Sequence, residues 1–246
     1  MREQAVGVPG RSIELETTSG AISLDLASAA VVVVDMQNDF GSPLGMLDRR
    51  GVDVAPIHSI VEPIACVLAA ARRADLKIVY LKMAYEPDLS DSGRPDTPNW
   101  TKVHGPSGVG DTVFLPDGTT SRVLVRDTWN SDILDELTPE PSDAVVYKHR
   151  FSGFYETPLH DLLCAHGLRT LIFTGCTTSV CVESTIRDAF FRDYRCVLLE
   201  DCVAEPLGRD LPRSNHDATV LLVSRLFGWV TRSDELIESL GLTSPL

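Results

Sequence analysis

Six consecutive residues, Ala-Ala-Val-Val-Val-Val at 29–34, constrain this chain most. The run is mostly β-branched, which favours extended backbone, and it offers no polar position at either parity. A strand with one wet face alternates between apolar and polar residues. A strand with no polar face must be covered on both sides, as in a parallel sheet lying between layers of helices. Comparable runs recur at Leu76–Leu81, Ala144–Lys148, Arg169–Thr174 and Cys196–Glu200, with Trp229–Val230 as a short last one. Between them the apolar period changes to three and four residues. Ile60, Ile64, Val67, Leu68 and Ala71 form such a stripe within Pro56–Ala74. The same reading gives helices at Pro158–His166, ended by Gly167, from Ser179 to Asp193, at Asn215–Phe227 and at Asp234–Leu240. Strand and helix alternate, which implies right-handed crossovers. The expected fold is α/β: three layers, doubly wound, with a mostly parallel central sheet of about six strands and helices on both faces.

The chain of 246 residues has room for one large domain of this kind, taken as 29–246. Residues 1–28 read as an N-terminal extension. Within it Ser12–Leu26 alternates loosely around Ser19-Gly20, a pattern compatible with a small hairpin. Residues 84–128, rich in Asp, Pro, Gly, Ser and Thr, form a long excursion without clear periodicity. Loops of that length in compact domains are usually lids, subunit contacts or both. A short helix is expected at Asp132–Leu137. The net charge of −13 argues against nucleic acid or an anionic membrane as a partner. Six cysteines without a CxxC pair suit reduced thiols in the cytoplasm better than a disulfide framework. The start of the sequence lacks a signal-peptide layout, and its longest apolar run, Ile64–Ala71, is too short to span a bilayer.

Three ionisable residues fall at or just past the carboxyl ends of expected strands: Asp35, Lys148 and Cys181. In a parallel sheet those ends share one edge, so residues distant in sequence meet there. Each also has an ordinary reading. Asp35 could cap a helix, Lys148 could extend its ammonium to water, and Cys181 could be a small buried hydrophobe. Their joint placement favours chemistry. Cys181 lies where a turn broken by Gly175 opens into a helix, and unpaired N–H groups at a helix start stabilise a thiolate or a developing oxyanion. Lys148 could add a positive neighbour, and a carboxylate could move protons between nucleophile, leaving group and water.

Val31–Phe40, Lys148 and the stretch Gly175-Cys176-Thr177-Thr178-Ser179-Val180-Cys181-Val182 together resemble the isochorismatase-like cysteine hydrolases, over about residues 28 to 240. That family includes nicotinamidases, N-carbamoylsarcosine amidohydrolase, biuret hydrolase and ureidoacrylate amidohydrolase. Arg150–Leu159, Cys181–Phe191 and Phe227–Val230 look most like the ureidoacrylate enzymes of pyrimidine breakdown. The resemblance implies Cys181 as nucleophile, Asp35 as general base and acid, and Lys148 as the cation that holds both. It also implies a non-proline cis peptide between Cys176 and Thr177, with an oxyanion hole formed by the N–H groups of Thr177 and Cys181.

The resemblance further implies a homotetramer or homodimer acting on a small amide or ureide, without a cofactor. Nicotinamidases carry an Asp-x-His-x-x-His metal run after the second strand; here Tyr85-Glu86-Pro87-Asp88-Leu89 has no histidine, so no metal is expected. Ureidoacrylate enzymes place Asn and Trp where this chain has Met83 and Tyr85. The similarity of 105–125 is instead, loosely, to biuret hydrolase. Candidates to line the substrate pocket are Gln37, Phe40, Tyr85, Asn99, Trp100, Phe154 and Tyr155, with Trp100 also readable as lid packing.

Overall fold

The computed structural model describes residues 11–242. Its centre is a six-stranded sheet in the order β10-β9-β8-β3-β4-β7, every neighbouring pair parallel. The strands are β3 (Ala29–Val34), β4 (Lys77–Met83), β7 (Ala144–Lys148), β8 (Thr170–Cys176), β9 (Arg195–Ala204) and β10 (Trp229–Thr231). All six residues of β3 are buried, and the strand divides two cores by parity. Val31 and Val33 pack with the helix Val61–Arg73 and the helix Ser233–Ser239. Ala30, Val32 and Val34 pack with Leu159–Ala165 and Glu183–Phe190 on the other face. This is the three-layer arrangement that the unbroken apolar run demands.

Two small antiparallel hairpins flank the sheet. β1 (Ser12–Leu15) pairs with β2 (Ile22–Asp25), and β5 (Thr112–Phe114) pairs with β6 (Thr120–Arg122). The first is no loose lead-in: Leu15 and Leu24 are fully buried in the main core, and Thr18 N–H donates to Val230 O at 2.9 Å. Residues 1–10 of the expected extension lie outside the described residues. The expected helix over 56–74 is two pieces, Ala55–His58 and Val61–Arg73, and Asp132–Leu137 is reduced to the single 3-10 turn Asp135–Leu137.

Strand order determines where a ligand can enter. From β3 the chain builds outward through β4 and β7, then returns to lay β8, β9 and β10 on the opposite flank. The winding therefore reverses between β3 and β8. In open parallel sheets the crevice outside the strand ends at such a reversal is where ligands bind.

Candidate active site

Asp35 follows β3 directly with φ +51°, a left-handed conformation that Asp tolerates better than the valines before it. β7 delivers Lys148 to the same edge in register with Met83, and β4 stands between the two residues. Two inter-strand spacings, roughly 10 Å, separate β7 from β3, a gap only a long side chain crosses. Lys148 crosses it. Its Nζ donates to Asp35 Oδ2 at 2.8 Å and to Arg150 O at 3.3 Å, and both charged side chains are completely buried.

The third residue arrives through β8. Gly175, at φ +106°, lies beside Val34, where a Cβ would meet Val34 O at 2.1 Å. Only glycine lets the end of β8 approach β3 this closely. The bond from Cys176 to Thr177 is cis, as the resemblance implies. A π-helical turn, Thr178–Val182, follows and runs into the α-helix Glu183–Phe190. Cys181 sits in that turn, 4% exposed, at the floor of a cavity of about 210 Å³.

Electrostatics within the trio follow from burial. Loss of water pushes the Asp35 carboxyl up, against the pull of Lys148 and of the nearby Cys181 thiol. Asp35 Oδ1 is buried without a hydrogen-bond partner among the described residues, which leaves a lone pair free to accept a proton. Burial first, then the charge of Asp35, pushes the Cys181 thiol up, and Lys148 only partly opposes them. Desolvation and the charge of Asp35 thus work against the thiolate that the helix start and Lys148 favour. A thiol pushed up in this way needs a base beside it, and Asp35 is that neighbour.

The cavity walls are apolar, formed by Phe40, Met46, Met83, Leu124, Phe151 and Leu207. Thr177 and Cys181 form the floor, and Lys102 and Ser107 stand among the remaining lining. Of the seven candidate pocket residues, Phe40 alone lines this cavity. Gln37 is a brace: its amide nitrogen donates to Met83 O and Ser131 O at 3.0 Å each, and its oxygen accepts from Met83 N at 2.7 Å. Tyr85 is fully buried with its ring edge toward His104. Asn99 donates to Ser92 O at 3.1 Å, and Trp100 stacks on His104 at 4.1 Å between ring centres. Phe154 packs against Tyr194 in the core that also holds Cys181, and Tyr155 is 45% exposed. These six support the walls or face elsewhere.

Three supports escaped sequence reasoning. Glu205, 3% exposed just beyond β9, accepts from both Ser179 N and Ser179 Oγ, which pins the turn that carries Cys181. Thr185 donates to Cys181 O at 2.7 Å and accepts from Gly153 N at 3.0 Å, which ties the segment after Lys148 to the helix of Cys181. Asp39 accepts from Met46 N and Asn130 Nδ2 on one oxygen and from Leu124 N on the other, fastening the 84–128 excursion over the cavity. A buried carboxylate directly after a strand end was the signal available for Glu205.

An isochorismatase domain model matches residues 29–235. The chain belongs to the isochorismatase family. Among its relatives, the ureidoacrylate amidohydrolase of Methylobacterium radiotolerans is 39% identical over 223 residues, covering 91% of this chain and 83% of that one. The ureidoacrylate amidohydrolase of Methylorubrum extorquens is 37% identical over 220 residues, covering 89% and 86%. Of solved structures, a cysteine hydrolase from Pseudomonas syringae pv. phaseolicola superposes with a TM-score of 0.73 at 29% identity, covering 95% of this chain and 99% of that one. An N-carbamoylsarcosine amidase from Thermoplasma acidophilum gives 0.63, also at 29% identity, covering 84% and 97%.

Proposed function

We propose that this chain is a cysteine-dependent amidohydrolase that cleaves a carbon–nitrogen bond of a small ureide or carbamoyl amide. The coarser assignment is firm: the chain is a hydrolase acting on carbon–nitrogen bonds other than peptide bonds. The observation that carries the cysteine mechanism is a thiol at the floor of an apolar cavity, set against a buried Asp35–Lys148 pair with one carboxylate oxygen unpartnered.

In the proposed reaction Asp35 takes the Cys181 proton as sulfur attacks the carbonyl carbon, and the carbonyl electron pair moves to oxygen. The N–H groups of Thr177 and Cys181 hold that oxyanion; one such donor contributes on the order of 3 kcal/mol to the transition state. Asp35 returns the proton to the departing nitrogen, the C–N bond breaks, and a thioester or thiocarbamate remains on Cys181. Water, deprotonated by Asp35, attacks this acyl group, and the thiol leaves with the proton. The products are an amine or ammonia with an acid, or with a carbamate that decays to carbon dioxide and ammonia. Lys148 keeps its charge throughout and favours ionised Asp35.

Within this class a ureidoacrylate-like substrate has the support of the curated relatives. An N-carbamoyl amino acid has the support of the amidase of similar fold, and biuret remains a member of the same group of ureides. The test is ammonia release by purified enzyme against ureidoacrylate, biuret, N-carbamoyl amino acids, nicotinamide and simple aliphatic amides. Turnover of a ureide is expected, abolished in Cys181→Ala and in Cys181→Ser while the circular dichroism spectrum is retained. Residual turnover in either variant overturns the cysteine mechanism.

A further inference from the structure

The cavity above Cys181 has a polarity that the catalytic trio does not use. Its walls are hydrocarbon, and Lys102 is the one cation among the residues that line it. An adjoining pocket of about 250 Å³ shares Met46 and Ser107 with the cavity and adds Arg49 and Arg50 against a single acid, Asp111. Arg50 Nη2 and Asp111 Oδ2 both stand close to Gly108, and neither residue lines the cavity itself. Lys102 differs. Among the described residues the lysine salt bridges are those of Lys82 and Lys148, and no carboxylate engages Lys102.

The placement matters because the molecule carries a net charge of −13. An anion approaching a surface of that charge is repelled in general, whereas a cation beside an apolar-walled cleft focuses the local field inward. A cavity of about 210 Å³ is also smaller than the roughly 300–1,000 Å³ that drug-sized ligands occupy, so a substrate reaching Cys181 is short. One end of such a molecule on the thiol leaves its other end near the mouth.

We infer that Lys102 is the specificity-determining residue of this cavity, holding the carboxylate of a ureido acid at the mouth while the ureide carbonyl rests on Cys181. The inference rests on the hydrolase reading above and chooses within it: neutral ureides such as biuret are the poorer class.

The test separates charge recognition from chemistry. In the Cys181→Ala background, calorimetry compares binding of 3-ureidopropanoate with binding of the neutral propylurea. The acid is expected to bind tenfold or more tightly than propylurea, with a preference that shrinks as salt is raised from 0.05 to 0.3 M, since exposed charges are screened. Lys102→Met in that background should erase the preference, Lys102→Glu should reverse it, and Lys102→Arg should restore most of it. An unchanged preference in Lys102→Met, or no preference in the parent, overturns the inference. Turnover is measured separately with Cys181 intact; a retained preference for the acid without hydrolysis would refute the catalytic reading and leave the assignment of Lys102 standing.

Discussion

Asp35 has two oxygens with different surroundings, and its proposed role depends on the difference. Oδ2 is occupied by Lys148 at 2.8 Å, and Oδ1 is buried and free. Asp35→Asn would keep a similar shape while losing the proton acceptor. We expect kcat/KM to fall by on the order of 10² to 10⁴, the usual contribution of a positioned general base. The pH profile gives a second check. Because burial raises the Asp35 pKa, wild-type activity should decline as pH drops through a midpoint above the ordinary carboxylate range. The decline occurs on the acid side because only ionised Asp35 can take the thiol proton. An acid limb centred near pH 4, or one that persists in Asp35→Asn, would contradict this assignment. The positions of Asp35 and Lys148 were legible in the sequence because each stands where an apolar run stops, and that of Cys181 because a glycine-broken turn there gives way to a helical period. Protonation was not legible: whether desolvation or a neighbouring cation dominates depends on burial in three dimensions.

Elements divide the same way. The strands were readable because β-branched runs buried on both faces have few alternatives, and β7 falls at the expected Ala144–Lys148. The 84–128 excursion was not, since its order comes from partners distant in sequence. Asp39 is the chief of these, bonding Leu124 and Asn130 across 85 and 91 residues. Gln37 and Asp39 occupy the same short segment after β3, yet sequence alone could not separate a brace from a pocket residue. Asp39→Asn would set an NH₂ group against backbone N–H donors and should cost about 1–3 kcal/mol. Its pH dependence has a definite sign. Burial raises the Asp39 pKa to about 6, so its stabilising contribution is present in acid and lost as pH rises through about 6. Urea titrations at pH 5.5 and pH 8 should show the larger wild-type advantage at pH 5.5. A larger advantage at pH 8 would mean that the three hydrogen bonds outweigh burial and hold the carboxylate ionised.

At the scale of the whole molecule, an acidic chain exposes a cluster of large apolar side chains around Phe191 and Leu226. Phe191 is 69% exposed, Leu226 61% and Phe190 42%, beside Arg187, whose guanidinium lies 4.3 Å from the Phe227 ring centre. Exposed apolar groups gathered on one face are characteristic of association surfaces. The expected dimer or tetramer is tested by light scattering at micromolar concentration, and Phe191→Asp with Leu226→Asp should shift the mass toward the monomer. A monomeric wild type would overturn the expectation. The family and the layer order were legible across the whole chain, whereas this face was not, because Phe190, Phe191 and Leu226 have the same hydropathy as residues of the core.

The order in which the sheet is wound has a bearing on synthesis. Asp35 and its support in β4 leave the ribosome early, Lys148 follows 113 positions later, and Cys181 comes with the returning strands. A nascent chain that has made only the first flank therefore holds a base without a nucleophile. A fragment holding only the later strands has the thiol without its base. Neither half holds both groups, so the catalytic set exists only once the two flanks have closed around β3.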